Sequence, residues 1–296
     1  MLIKDDIFML PADEYGRWKM KERLEERHGA LNLISLGKSI LSRPIEAYKI
    51  GDGKKLVCLI GAHHAMESIT ANLLFLLVDY LFGNARCGNV NTVDCKFLLS
   101  KYSYIIVPCL NPDGIELRLH GASRTPLRER QLKMSGGDFS AWQANARGVD
   151  LNHNYDYKFP EYKVIERERG ISAGATLYSG EFPESEPESR AVANLVRTVA
   201  PVAVVALHSQ GEEIYAYPKT ARIERVARRL EQLTGYALTE ASDTAAYGGL
   251  CDYIGAMGIP SFTYEVGKGT NPLPESSVYS IFERVAESLV LLPTFL

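Results

Sequence analysis

The chain has 296 residues, 46% of them apolar, and sets 33 Lys and Arg against 36 Asp and Glu for a formal charge of −3. That apolar fraction excludes a disordered chain, and the near-neutral balance excludes a global basic field for nucleic acid. Two domains would fit the length, but a single α/β domain of this size buries a large core, so one domain over residues 1–296 is the expectation.

In chain order, the first residues scatter Lys4, Asp5, Asp6 and Asp13 through a short apolar segment, which lacks the unbroken hydrophobic stretch of a secretory signal. Leu31 to Leu36 and Pro44 to Ile50, feeding Leu56 through Gly51-Asp52-Gly53, suggest an antiparallel meander on one side of a sheet. Leu56 to Gly61 reads as a buried strand and Ser68 to Phe82 as a helix. The most apolar part of that helix, Leu73 to Phe82, is broken by Asp79 and falls short of the roughly 20 residues a bilayer needs. Tyr104 to Leu110 is the next strand. The stretch from Leu117 to Ala146 shows no clear periodicity and carries Arg118, Arg124, Arg128, Arg130 and Lys133. It reads as a long loop, either a solvated basic surface or a rim for an anionic substrate.

Ser185-Glu186-Pro187-Glu188 has capping-box spacing, so a helix is expected from about Ser185, with Val192, Leu195, Val196 and Val199 on one face. Strands follow at Val202 to His208, Ile214 to Tyr217 and Ser261 to Val266. Val278, Ile281, Val285, Leu289 and Leu292 draw a last helical stripe. Strands alternating with helices predict an α/β fold with a mixed, mostly parallel central sheet flanked by helices. Cys58, Cys87, Cys95, Cys109 and Cys251 are odd in number, with Cys58 and Cys109 inside apolar runs. They are expected to be reduced thiols in a cytoplasmic setting, and none has zinc-finger spacing.

The chemistry gathers at strand ends. The strand at Leu56 runs into His63, His64 and Glu67, and an imidazole and a carboxylate three positions apart on such a turn can meet one divalent ion. Zinc accepts this donor set, needs a third protein ligand and keeps one position open. His208, at the end of another apolar strand, is that candidate, because open α/β sheets bind ligands at the carboxyl ends of their strands. Spacing alone leaves His63 and His64 both open as the first ligand. His28 and His120 have no companion ligands and are expected to be solvated. No GxSxG elbow and no Gly-rich phosphate loop is present.

Asn111-Pro112-Asp113-Gly114, Gly148-Val149-Asp150-Leu151-Asn152-His153-Asn154 and the terminal Glu265 of Ser261 to Glu265 complete an ordered set. With HxxE and the distant His208, the sequence resembles the zinc metallocarboxypeptidase family over roughly Leu56 to Val266. The resemblance implies that one Zn2+ is held by His64, Glu67 and His208, that Glu265 activates a water, and that Asp150 holds His64. Two positions depart from the pattern. The arginine that grips a substrate's terminal carboxylate in the family is His153 here, next to Asn152. The arginine that polarises the scissile carbonyl aligns with Gln143, with Arg147 the nearest cation, so both are candidates. The family's closing tyrosine aligns near Thr244, with Tyr247 close by.

GAHHAMESIT and WQANARGVDLNHN look most like the bacterial branch similar to γ-D-glutamyl-L-diamino acid endopeptidases. The resemblance therefore implies a zinc metallopeptidase acting on a peptide or muropeptide, with no nucleic-acid or membrane partner. The alternatives are a carboxypeptidase trimming ordinary C-termini, or a homologue that binds metal or ligand without catalysis.

Overall fold

Alternating apolar runs and amphipathic stretches fold into one eight-stranded mixed sheet between helices in the computed structural model, which describes residues 4–83, 95–123, 125–240 and 247–296. The strands are β1 (Leu33–Lys38), β2 (Pro44–Ile50), β3 (Lys55–Ile60), β4 (Tyr102–Val107), β5 (Ala203–His208), β6 (Glu213–Tyr217), β7 (Ala237–Leu238) and β8 (Ser261–Glu265), in the order β1-β2-β4-β3-β5-β8-β6-β7. β4, β3, β5 and β8 run parallel through the middle, and β1 and β2 pair antiparallel on one side as expected, but β2 lies against β4 rather than continuing as a meander into β3. β6 joins the far side antiparallel to β8.

The helices are α1 (Glu14–His28), α2 (Ile69–Leu81), α3 (Cys95–Lys101), α4 (Pro112–His120), α5 (Arg128–Ser135), α6 (Phe159–Arg169), α7 (Pro187–Val199), α8 (Ala221–Thr234), α9 (Leu250–Ala256) and α10 (Val278–Leu291). Side chains alternate across a strand, so Val57, Leu59, Val205 and Leu207 face α2, α8 and α10, whereas Cys58, Ile60, Val204 and Ala206 face α7 and α9. A strand covered on both faces has no polar side, which is why β3 and β5 read as continuous apolar runs. α2 is buried along its whole length. Among its polar side chains, Thr70 Oγ1 donates to the Glu67 carbonyl, Asn72 Nδ2 donates to the Phe8 and Leu10 carbonyls while its Oδ1 is buried without a partner among the described residues, and Asp79 pairs with Arg27 and His28.

Several expectations change. The stretch from Leu117 to Ala146 contains the last turn of α4 and all of α5, so it is not one long loop. α7 begins at Pro187 with Glu186 at its N-cap and no side-chain capping bond; Ser185 Oγ instead donates to Glu186. β4 ends at Val107, which leaves Cys109 buried just beyond the strand. His28 is not solvated: its ring stacks on Phe82 and bonds to Asp79. His120 does lie exposed, beside Asp13. Cys58, Cys109 and Cys251 are free thiols, and Cys87, Arg124 and Thr244 lie outside the described residues. No helix among the described residues is long and apolar enough to cross a membrane.

Candidate active site

The site forms where β3, β5 and β8 end side by side. β3 stops at Ile60 and the chain turns through Ala62, whose φ of 52 redirects the next residues into the short helical turn Ala65–Glu67 ahead of α2. This turn sends the two adjacent imidazoles in different directions. His64 Nδ1 lies 3.0 Å from Glu67 Oε1, and His208 Nδ1 lies 2.9 Å from Glu67 Oε2 and 3.3 Å from His64 Nδ1. One donor atom from each of His64, Glu67 and His208 falls within 4.8 Å of the others. His63 is fully buried and points elsewhere, with Nε2 3.1 Å from the Tyr155 hydroxyl and its ring stacked on His208.

The second nitrogen of His64 is fixed by Asp150. Nε2–H donates to Asp150 Oδ1 at 3.0 Å, and that carboxylate also accepts the backbone N–H groups of Asn152 and Leu177. With Nε2 committed as donor, the lone pair of neutral His64 sits on Nδ1, facing Glu67 and His208. Two imidazole nitrogens aimed at each other across a carboxylate cannot all be satisfied as neutral groups, and a cation among them resolves the conflict. The charges point the same way. Although burial opposes it, Glu67 and Asp150 raise the His64 imidazole well above its usual value. Against the same burial, His64 and His208 hold Glu67 down to about 2, and Asp150 is lowered chiefly by His64. The residues fit zinc: two imidazole nitrogens, one carboxylate and a hydrogen-bonded ring behind the first ligand.

Glu265 is the Cα partner of His208 in the parallel β5–β8 ladder and of Glu213 across β8–β6. Burial, then the nearby Glu67 and Glu213 carboxylates, push Glu265 up to about 7 against the pull of the two imidazoles. A carboxyl group with balanced protonation beside the three ligands is suited to taking up and returning a proton.

The remaining sequence candidates divide. Gln143 is brought close: its carbonyl accepts the Ala65 N–H, and its side-chain Oε1 accepts from Thr176, whose hydroxyl also lies 3.2 Å from Asp150. Arg147 is not brought to the cluster; its Nε donates to Glu186 Oε2 at 3.0 Å. Asn152 Oδ1 accepts the Leu250 N–H, which leaves its NH2 as the group to meet a ligand. His153 stacks on Tyr162 at 4.4 Å and donates from Nδ1 to the Tyr247 carbonyl at 2.7 Å. A neutral His153 then offers only an acceptor at Nε2, so binding a carboxylate requires its protonated form.

Gly248 makes the contact with Tyr247 possible. Its φ is +75, and a Cβ there would fall 2.1 Å from the His153 carbonyl oxygen. Asn111 ties the wall together: its Nδ2 faces the carbonyls of His63, Gln143 and Ala144, and its Oδ1 caps α4 at Gly114. Asp113 faces away and binds Arg43 and the Leu41 N–H. Thr176 and Leu177, which brace Asp150, carry no sequence signal, since an ordinary Thr-Leu pair acquires that role only through the fold.

Residues 19–279 match the family model for zinc carboxypeptidase, peptidase M14. The chain is 30% identical over 271 residues to gamma-D-glutamyl-L-diamino acid endopeptidase 1 of Lysinibacillus sphaericus, covering 88% of this chain and 67% of that protein. It is 34% identical over 251 residues to the YqgT protein of Bacillus subtilis strain 168, covering 81% and 65%. The chain thus spans about two thirds of the length of these relatives. The fold is shared with thrombin activatable fibrinolysis inhibitor, at a TM-score of 0.76 and 20% identity over 98% of this chain and 75% of that one.

Proposed function

The chain belongs to the zinc carboxypeptidase family and is a metallopeptidase, and from that premise we propose that it hydrolyses the γ-D-glutamyl–diamino acid amide of peptidoglycan peptides. The observation that carries the hydrolytic reading is the convergence of His64 Nδ1, Glu67 and His208 Nδ1 beside Glu265. What zinc supplies when bound by these three is a Lewis acid that lowers the pKa of water and draws electron density from a carbonyl.

The residues of the chain do the rest. The Glu265 carboxylate accepts a proton from water as its oxygen adds to the amide carbon, then returns that proton to the nitrogen as the C–N bond breaks. Asp150 keeps His64 in the tautomer that presents Nδ1. Asn152, His153 and Tyr247 take the amine-side residue, and Gln143 is the neutral donor nearest the carbonyl. The substrate choice is supported by the relative from Lysinibacillus sphaericus and by His153, a weaker carboxylate ligand than the guanidinium it replaces.

The test is release of free diaminopimelate from L-Ala-γ-D-Glu-diaminopimelate by zinc-loaded protein. Release at a rate well above that on α-linked peptides with free C-termini supports the proposal. Trimming of the α-linked peptides with the muropeptide left intact would return the chain to ordinary carboxypeptidase activity.

A further inference from the structure

Among the described residues, Arg118 is a half-buried cation without a matching anion. It stands on the last turn of α4, which packs on the turn carrying His64 and Glu67. Its Nε is buried with no hydrogen-bond partner among the described residues, and its Nη2 reaches Ser68 Oγ only at 3.5 Å. Among the described residues no carboxylate comes within ion-pairing distance; the acid it feels is Glu275, through space. Buried donors in folded proteins are nearly always matched, and leaving a charged one unmatched is costly. By contrast Arg128, Arg130 and Lys133, from the same basic stretch, are exposed to water.

The surroundings of Arg118 place it at the rim of the metal cluster. Ser68 directly follows Glu67. Glu275 belongs to the segment that follows Glu265, and that segment is tied back by Asn271, which exchanges hydrogen bonds with Ser209, the residue after His208. The guanidinium is therefore framed by segments that leave the ligands and the general base. Asn152, His153 and Tyr247 approach the cluster by another route, through Asp150 and Leu250, and share none of these partners.

Resting on the function proposed above, the geometry points to Arg118 as the residue that binds a carboxylate on the acyl side of the scissile amide, which in a γ-linked glutamyl residue is the free α-carboxylate. A peptide lying across the cluster with its amine-side residue at Asn152 and His153 runs its acyl part past Arg118. An α-linked peptide has no carboxylate there unless its side chain supplies one, whereas a γ-glutamyl unit always does. A planar fork of donors suits a carboxylate, and the unmatched Nε belongs to that fork. Arg118 thus separates γ-glutamyl from ordinary acyl groups.

The experiment compares L-Ala-γ-D-Glu-diaminopimelate with the same peptide carrying an amide in place of the glutamyl α-carboxylate, in the wild type and in Arg118→Gln and Arg118→Lys, each checked for zinc content and melting temperature. Wild-type kcat/KM should drop about ten- to a hundredfold on the amidated peptide, mainly through KM. Arg118→Gln should lose a similar factor on the carboxylate substrate and be indifferent to amidation, with Arg118→Lys in between. Equal losses by Arg118→Gln on both peptides, or a wild-type preference that the variant leaves intact, would overturn the assignment alone. A zinc-loaded wild type that cleaves neither peptide but trims α-linked ones would overturn the substrate reading and the assignment with it.

Discussion

At the scale of single residues, each role in the site depends on which atom a neighbour leaves available. His64 presents Nδ1 because Asp150 holds Nε2, while His63, one position earlier, is spent on Tyr155. Replacing Glu265 with Gln keeps the shape and removes the base, so zinc content should be unchanged and kcat should fall by about 10²–10⁴, measured beside metal analysis of the same sample. His153→Arg should lower KM for peptides with a free α-carboxylate about tenfold, since a fork of donors replaces a ring whose Nδ1 is committed to Tyr247; an unchanged KM would mean that position 153 does not meet the carboxylate. The ligand set and Glu265 were legible in the sequence as an ordered pattern of motifs. The choice between His63 and His64 was not legible from spacing, since it depends on the backbone turn at Ala62. The charge of Arg147 makes it a candidate on sequence alone, but in the fold Glu186, 39 residues away in sequence, pairs with that charge.

At the scale of elements, buried polar groups fasten the loops that carry these residues. Asn111→Ala removes the cap of α4 and leaves the carbonyls of His63, Gln143 and Ala144 without their shared donor, a loss of about 2–4 kcal/mol by denaturant titration. Near the start of α7, Glu188 is wholly buried; burial, with Asp113 and Glu186 nearby, pushes its carboxyl from 4.5 up to about 8. Because the folded value is raised, the stability from its neutral form is complete below about pH 4.5 and is lost as pH rises through about 8. Glu188→Gln should therefore melt several degrees above the wild type at pH 9 and show a smaller gap at pH 5. A gap independent of pH would show that Glu188 is not titrating there.

The strands of the sheet centre were readable because they are apolar on both faces, to within a few residues at their ends. The sequence pattern does not reveal α1, α3, α4, α5, α6, α8, α9 or the two-residue β7. The charged faces of α1 and α5 obscure their period, and α8 had an available stripe in Ile223, Val226, Ala227 and Leu230. β7 is too short to carry an alternation.

At the scale of the whole molecule, metal and fold are linked. Any ion that binds only the native chain raises its stability, so chelation should lower the melting temperature and abolish turnover, and stoichiometric zinc should restore both. A melting temperature indifferent to chelator would place the ion outside the His64–Glu67–His208 cluster. The α/β class and the mixed sheet followed from the alternation of strands and helices along the chain. The crossing order of the strands did not, because it is set by which apolar faces find each other.

The pairing of His208 with Glu265 across neighbouring strands has a consequence for how such a chain can change over time. Deleting or inserting one residue within β5 or β8 would present Leu207 or Tyr264 where an acid or an imidazole has to stand, and would turn every inward side chain of that strand outward. Length changes are therefore expected to accumulate in the connections, such as the one from β6 through α8 to β7, and to be absent from the two strands, a contrast that deep insertion–deletion scanning would reveal.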